Sequence, residues 1–190
     1  MKLTYRPEID GLRAISVLAV IFYHSELSFS EKNLFQGGFL GVDFFFVISG
    51  YLITSLILKE LSLTGSFSLK NFYERRAQKI LPQFIIVMII SSAFAWKYLL
   101  PSSLVDYAKS LLYSIGFTSN FYFYNIQSNY FDLDSKFRPF LHTWSLSVEE
   151  QFYIIFPIVI LFVFRYFRGF FIHVLIIGFL VSLGLAEWTS

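Results

Sequence analysis

Residues 13–24 read Arg-Ala-Ile-Ser-Val-Leu-Ala-Val-Ile-Phe-Tyr-His, an apolar run with a charged side chain at one end and a titratable one at the other. In an α-helix, His24 lies eleven positions after Arg13, so both side chains lie on one face about 16 Å apart. Ionisable side chains on a membrane-embedded helix usually face the protein interior and mark a function. The stretch therefore predicts a first membrane helix with a functional face.

The composition of the 190 residues also indicates a membrane protein. Apolar residues make up 56% of the chain and charged residues only 15%, more apolar surface than a soluble domain could bury. Five segments are each near the roughly 20 residues that cross a bilayer, and they are residues 11–29, 39–59, 81–100, 146–165 and 169–187. We therefore expect an all-α, polytopic transmembrane helix bundle of five or six helices, with no second domain within residues 1–190. The net charge of +2 gives no argument for a nucleic-acid partner.

Basic residues predict the orientation of these helices, because lysine and arginine concentrate in cytoplasmic loops. They precede the first segment and crowd the connection between the second and third: Lys2, Arg6, Arg13, Lys70, Arg75, Arg76 and Lys79. The N-terminus is therefore expected in the cytoplasm. A weaker segment, residues 104–124, either crosses the membrane or is interfacial or re-entrant. We favour the second arrangement, because it leaves residues 125–145 outside and places Arg165 and Arg168 in the cytoplasm.

His24 is the first candidate for chemistry. An imidazole with a near-neutral pKa can take a proton from a hydroxyl and return one, which acyl transfer to an alcohol requires. The structural alternative is that Arg13 extends to the cytoplasmic interface while His24 caps the outer end of the helix. Spacing alone leaves both interpretations open.

A basic cluster lies at the inner mouth of the third segment, where residues 72–82 read Phe-Tyr-Glu-Arg-Arg-Ala-Gln-Lys-Ile-Leu-Pro. Guanidinium groups bind phosphate oxygens through paired hydrogen bonds, so the cluster suits an anionic cytoplasmic co-substrate with several phosphates. The alternative is purely topological, since positive charge beside a membrane helix sets its orientation.

The second segment carries a stripe of small and polar residues on one helical face, formed by Asp43, Val47, Gly50 and Thr54. Small residues let helices approach closely, which favours helix packing around Gly50. A carboxylate entering the membrane needs a partner or water, so Asp43 is expected to meet a cation such as His24 or Arg138.

Residues 141–153 open the fifth segment with Leu-His-Thr-Trp-Ser-Leu-Ser-Val-Glu-Glu-Gln-Phe-Tyr. Ser147 and Glu150 fit a capping box, which predicts a helix start at that point. Glu149 has no such structural role and is expected to line one face near the membrane boundary. His142 is either a second base or a loop residue. No metal site is expected, because the three histidines lack ligand spacing.

Four motifs occur in order along the chain: residues 5–13 with their Arg-x10-His spacing, Gly-Val-Asp-Phe-Phe-Phe-Val-Ile-Ser-Gly-Tyr at 41–51, the basic pair at 75–76, and residues 142–153. Together they resemble the acyltransferase-3 family of bacterial membrane O-acyltransferases. The likeness is strongest to lipopolysaccharide and peptidoglycan O-acetylases that carry a fused extracytoplasmic SGNH-type hydrolase domain. The membrane domain of that family resembles a bundle of about ten helices. We therefore expect residues 1–190 to be an N-terminal part of such a domain, inactive alone.

The resemblance implies transfer of an acetyl group from cytoplasmic acetyl-CoA to a hydroxyl of a cell-surface or lipid-linked glycan. It places the protein in the bacterial inner (plasma) membrane, in contact with lipid. It further implies that His24 is a base or acyl carrier, with Arg13 and Glu149 as its catalytic partners. Acetyl-CoA would be a donor co-substrate, and no tightly bound cofactor is expected.

Other motif positions receive binding roles from the same resemblance. The phosphates of the coenzyme are expected at Arg75, Arg76 and Lys79. A conduit or acceptor pocket is expected from six more residues: Asp43, Ser49, Gly50, Tyr51, Trp144 and Ser145. Lysine stands where the family usually has the second arginine of Arg-x-x-Arg, which keeps the charge and loses the planar fork.

Two other functions fit these residues. A proton-coupled transporter or flippase would use the same ionisable residues as a proton path. A structural or sensory module would use the basic cluster to hold anionic lipid. Replacing His24 distinguishes them, since an enzyme loses acetyl transfer, a transporter loses flux and a lipid-binding module loses neither.

Overall fold

The computed structural model describes residues 6–25, 28–29, 32–33, 35–127 and 140–189. Seven α-helices lie in this part of the chain: α1 (Pro7–His24), α2 (Leu40–Thr64), α3 (Leu69–Tyr98), α4 (Pro101–Ile115), α5 (Ser119–Gln127), α6 (Thr143–Tyr166) and α7 (Phe171–Thr189). Two-residue strands β1 (Ser28–Phe29) and β2 (Lys32–Asn33) pair antiparallel, and a 3₁₀ turn at Arg168–Phe170 precedes α7. The chain divides into two compact units, Met1–Phe152 and Tyr153–Ser190. The predicted all-α helix bundle is confirmed.

Four of the described helices are long and apolar enough to cross a membrane, namely α2, α3, α6 and α7. The expected first membrane helix, residues 11–29, differs from α1, which begins at Pro7 and ends at His24. Proline suits the first helical position because it has no N–H to leave unpaired. The early start brings Glu8 and Asp10 into the same helix as Arg13. With three charged side chains, α1 is not among the four membrane-spanning candidates.

α1 and α2 run antiparallel to each other. Just before the start of α1, Nη1 of Arg6 donates a hydrogen bond to the Tyr51 hydroxyl at 2.9 Å. Near its end, the Tyr23 ring packs edge-on against Phe39, with ring centroids 5.8 Å apart. The start of α2 therefore lies beside the end of α1, which brings two motif-bearing helices side by side.

Two glycines at the start of α2 allow this close approach. A Cβ on Gly41 would overlap the carbonyl oxygen of Ser16, and a Cβ on Gly38 would overlap that of Ala19. At Gly50 a Cβ would meet only a ring atom of Phe152 at 4.0 Å, so this glycine is not required for a close approach. Helical spacing identified small residues on α2, but it could not tell which of them faces α1.

α3 begins at Leu69, well before the third apolar segment. Ser68 caps the helix, since its Oγ accepts a hydrogen bond from Asn71 N at 3.4 Å. Gly65, with φ of 71°, ends α2 in the left-handed conformation that glycine adopts easily. Residues 74–79 include arginine, alanine, glutamine and lysine, which are good helix formers. The basic cluster therefore lies in the first turns of α3, because the helix begins before the third apolar segment.

The weaker segment at 104–124 is two helices, α4 and α5, rather than one. Phe117, with φ of 51°, lies between them, and Thr118 N donates to Tyr113 O at 2.9 Å, as in a Schellman ending. The 15 residues of α4 extend about 22 Å, less than the roughly 30 Å hydrocarbon core of a bilayer. Neither helix is among the four membrane-spanning candidates.

One buried cluster connects both ends of this segment. It contains Ala95 near the end of α3, Tyr107 of α4, Phe123 of α5 and Phe140 just before α6. The end of α3 and the turn before α6 therefore lie close together. This geometry agrees with the arrangement in which residues 104–124 do not cross the membrane.

α6 begins at Thr143, earlier than the capping box predicts. Thr143 N and Oγ1 both donate to Phe140 O, at 3.0 and 2.6 Å. Ser147 instead joins a buried hydroxyl cluster, where its Oγ bonds Ser119 Oγ at 2.7 Å. The predicted capping box at Ser147 and Glu150 is wrong, because contacts with α5 outweigh a local four-residue pattern.

Candidate functional site

A cavity of about 290 Å³ lies along α1, between the positions of Arg13 and His24. Its walls come from α1, α2 and the start of α6: Ser16, Val17, Val20, Ile21, Gly41, Val42, Phe45, Phe46, Ser145, Leu146 and Glu149. Arg13 precedes the first of these by one helical turn, and His24 follows Ile21 by one turn. Arg13 and His24 thus bracket the cavity along the helix. Its volume is at the lower end of the ~300–1,000 Å³ typical of ligand pockets, which suits a slender group.

Arg13 is held at its end of the cavity by an aromatic ring. Its guanidinium carbon lies 4.9 Å from the centroid of the Phe45 ring, a cation–π geometry. Phe45 itself lines the cavity. The positive charge therefore lies against a cavity wall, where it can attract an anionic or carbonyl group.

His24 is the last residue of α1, and its side chain is exposed. Its ring lies against the ring of His142, with centroids 4.3 Å apart and planes tilted by 59°. His142 precedes α6 by one residue, so it belongs to the turn and remains accessible. Partial burial lowers the pKa of His142, and the nearby charge of His24 lowers it further. The sequence left His142 undecided, and the structure brings it to His24.

Glu149 and Ser49, predicted as a catalytic and a conduit residue, are in direct contact. Ser49 Oγ donates to Glu149 Oε1 at 2.5 Å, and Ser49 is only 4% exposed. Glu149 lines the cavity. Hydrogen bonds to charged groups are stronger than neutral ones, so this contact fixes the carboxylate in the cavity wall.

The other predicted conduit residues have different surroundings. Ser145 lines the cavity, and its Oγ donates to His142 O at 3.1 Å. Trp144 packs edge-on against the cavity residue Phe46, with ring centroids 6.4 Å apart. Tyr51 accepts the hydrogen bond from Arg6, and neither Tyr51 nor Gly50 is part of the cavity wall.

Asp43 is exposed in the first turn of α2. Within the described residues it forms no ion pair, so the predicted pairing with His24 is not present. The other predicted partner, Arg138, lies outside the described residues. The exposed position at the helix start lets water or lipid headgroups solvate the carboxylate, which explains why no protein cation is needed.

The basic cluster faces more than one direction around α3. Arg75 is exposed and forms a weak ion pair with Glu60, at 4.0 Å. Lys79 follows one turn later and is also exposed. Arg76 is less exposed, lies over the Phe72 ring at 5.8 Å and acts electrostatically on Glu150 of α6. Arg75 and Lys79 therefore share an exposed face, whereas Arg76 points towards the α6 carboxylates.

Glu150 is a residue whose position the sequence mispredicted. It is 9% exposed, and its Oε1 has no hydrogen-bond partner among the described residues. The charges of Arg76 and Glu149 both act on it. The adjacent glutamates Glu149 and Glu150 in the sequence indicated a charged position here, but the capping-box pattern assigned Glu150 to a helix cap. Across the same described ranges, no three His, Cys, Asp or Glu side chains are close enough to hold a metal ion.

A buried hydroxyl cluster supports the start of α6, and sequence analysis missed it. Thr143 Oγ1 lies 2.8 Å from Ser114 Oγ and 3.0 Å from Ser119 Oγ. Gln151 of α6 makes a second contact with this segment, since its Nε2 donates to the carbonyl oxygen of Phe117 at 2.7 Å. Ser114 and Ser119 were visible in the sequence, but nothing local indicated that they meet α6.

Comparisons with known proteins point in one direction. The acyltransferase-3 family, described as an acyltransferase domain, matches residues 6–189. The provisionally named O-acetyltransferase SAS0844 of Staphylococcus aureus (strain MSSA476) is 44% identical over 159 residues, covering 84% of this chain and 25% of that protein. O-acetyltransferase OatA of Staphylococcus aureus (strain NCTC 8325 / PS 47) is 38% identical over 184 residues, covering 95% of this chain and 29% of that protein. The chain thus spans under a third of the length of either relative. No solved structure matches it significantly.

Proposed function

We propose, from the premise that this chain belongs to the acyltransferase-3 family, that it acts in an integral-membrane O-acetyltransferase. The observation that carries the proposal is the cavity along α1, with Arg13 at one end and His24 at the other. A cavity between a cation and an imidazole suits a reaction in which a carbonyl is polarised and a hydroxyl is deprotonated. The named O-acetyltransferases among its relatives support the acetyl group as the one transferred.

The proposed donor is cytoplasmic acetyl-CoA, bound as a co-substrate. Arg75 and Lys79 lie on an exposed face of α3, in the segment expected to be cytoplasmic. The Arg75 ion pair with Glu60 is long, at 4.0 Å, so phosphate oxygens can compete for its guanidinium. Arg76 would place a further charge closer to Glu150 and the cavity residue Glu149.

The proposed acceptor is a hydroxyl of a cell-surface or lipid-linked glycan, such as lipopolysaccharide, reached from the outer face. His24 and the exposed His142 lie together at the end of α1 expected to face outward. The corresponding location is the bacterial inner (plasma) membrane with the N-terminus in the cytoplasm. A fused extracytoplasmic hydrolase domain and further membrane helices would belong to the same full-length protein.

The chemistry can follow either of two routes through His24. In the first, His24 removes the hydroxyl proton while the acceptor oxygen bonds to the acetyl carbon and the carbon–sulfur bond breaks. The proton then passes to the coenzyme thiolate. In the second, the imidazole carries the acetyl group before the acceptor hydroxyl attacks. Glu149, held by Ser49, would favour the charged imidazolium of the first route through its negative charge.

The test is acetyl transfer by the full-length protein in native membranes, using labelled acetyl-CoA and a glycan extract. Wild type is compared with His24→Ala and with a matched control, His173→Ala in α7, whose ring centroid lies 5.9 Å from that of Phe170. We expect label in glycan from wild type and the control, and a loss of about 10²–10⁴-fold for His24→Ala. Absence of label from folded wild type, or normal labelling by His24→Ala, would contradict the proposal. Proton-coupled solute flux would instead indicate a transporter.

A further inference from the structure

Two imidazoles meet one turn beyond the cavity residues Ile21 and Ser145. The rings of His24 and His142 have centroids 4.3 Å apart, although one belongs to α1 and the other to the turn before α6. Both neighbour the cavity wall, since Ile21 is one turn before His24 and Ser145 is one turn after His142. Both side chains are exposed, so a substrate can reach them.

The turn that carries His142 is held on both sides. Phe140 is only 2% exposed and belongs to a buried aromatic cluster. Thr143 bonds the Phe140 carbonyl and connects to the hydroxyl cluster of α4 and α5. Ser145 Oγ donates to the His142 carbonyl at 3.1 Å. His142 is therefore presented by a rigid backbone, as a group that must meet a reacting atom requires.

A neutral imidazole offers one N–H donor and one acceptor nitrogen. Partial burial and the charge of His24 lower the pKa of His142, which keeps its ring neutral at physiological pH. A neutral histidine with a lowered pKa is a poor base and a suitable donor to a carbonyl oxygen that gains negative charge. Acyl transfer needs such a donor where the oxyanion develops.

Resting on the acetyl-transfer function proposed above, we propose that His142 is a second catalytic residue, an oxyanion donor that works beside His24. The acceptor oxygen bonds to the acetyl carbon as His24 takes the hydroxyl proton. The carbonyl oxygen, now negative, accepts a hydrogen bond from the His142 N–H. The carbon–sulfur bond then breaks, His24 returns the proton to the thiolate, and His142 keeps its own proton throughout.

Two substitutions separate hydrogen-bond donation from ring packing. His142→Gln supplies an amide N–H without the ring, whereas His142→Phe keeps a ring against His24 without any donor. Each variant is assayed in the full-length protein in membranes, with labelled acetyl-CoA and glycan extract, at matched amounts of folded protein. We expect kcat to fall about 10²–10³-fold for His142→Phe, the usual loss for one oxyanion donor. The kcat of His142→Gln should be at least about tenfold higher than that of His142→Phe.

Three outcomes would overturn the donor role. Normal transfer by His142→Phe with loss in His142→Gln would show that the ring acts by packing. Equal loss in both variants would show that an N–H at this position does not suffice, and normal transfer in both would remove His142 from the reaction. Failure of the acetyl-transfer function itself is recognised separately, because the wild-type protein would then show no label.

Discussion

At the scale of single residues, the site depends on charged groups held by uncharged neighbours. Glu149 accepts a hydrogen bond from Ser49, and Arg13 lies over the Phe45 ring. Each contact holds a charged side chain beside the cavity, so we expect these neighbours to matter for activity as well as for stability.

Replacing Ser49 with alanine tests whether its hydrogen bond to Glu149 matters for stability and activity. The variant loses a hydrogen bond to a charged group, so we expect unfolding to become easier by about 1.5–3 kcal/mol and acetyl transfer to weaken. Thermal unfolding and transfer assays on the full-length protein in membranes measure both effects. Ser62→Ala is the control, because that exposed serine bonds only a carbonyl of its own helix and should change stability by about 0.5 kcal/mol or less. Equal behaviour of the two variants would refute the role of Ser49.

Acidification tests the environment of His142. Its pKa is lowered from the ordinary 6.5 by burial and by His24, so below about pH 6.5 the unfolded chain binds more protons than the folded one. Stability should therefore be full above pH 6.5 and fall as the pH drops through the lowered pKa. Thermal unfolding at about pH 7.5 and about pH 5 should show a smaller loss for His142→Gln than for wild type. His173→Gln should behave as wild type, and the same loss in all three proteins would contradict the account.

At the scale of elements, the contact between α1 and α2 forms the cavity. Gly41 lets the two backbones approach, and Ser16 faces it on α1. The same two residues line the cavity. Helix packing and cavity shape are therefore coupled, and a larger residue at this contact should affect both.

Gly41→Val tests the coupling. Its Cβ would overlap the Ser16 carbonyl oxygen, so α1 must move, and we expect a loss of about 1–3 kcal/mol in stability together with loss of acetyl transfer. Gly178→Ala in α7 is the control, because nothing lies within 4 Å of its Cβ position. Alanine is the better helix former there, so that variant should be as stable as wild type or up to about 1 kcal/mol more stable. Wild-type stability of Gly41→Val would contradict the close contact.

Elements formed by local signals were predictable from the sequence. The apolar runs indicated the membrane helices, and the spacing of Arg13 and His24 indicated one face of α1. The start of α6 was not predictable, because Thr143 and Ser147 are fixed by serines of α4 and α5. The meeting of His24 with His142 was missed for the same reason, since contacts between residues distant in sequence leave no local pattern.

At the scale of the whole molecule, four of the described helices are long and apolar enough to cross a membrane, and the candidate site lies within the unit Met1–Phe152. The cavity draws on three helices, and its volume suits a slender group rather than an entire nucleotide. Ala95 near the end of α3 and Phe140 just before α6 lie in one buried cluster, and His142 lies against His24 at the end of α1. The basic residues lie in the first turns of α3, whereas this cluster contains Ala95 near its end, and the transfer proposed above would need such a separation.

The most direct test of this account is to fill the cavity while leaving Arg13 and His24 unchanged. Val17 lines it and is 45% exposed, whereas its neighbour Leu18 is 49% exposed and does not line it. Acetyl transfer is measured for Val17→Trp and for the control Leu18→Trp in full-length protein, at matched amounts of folded protein. The account predicts a fall of ~10²-fold for Val17→Trp, since the acetyl group can no longer reach His24, and normal transfer for Leu18→Trp. Normal transfer by Val17→Trp would contradict the claim that the acetyl group passes through this cavity.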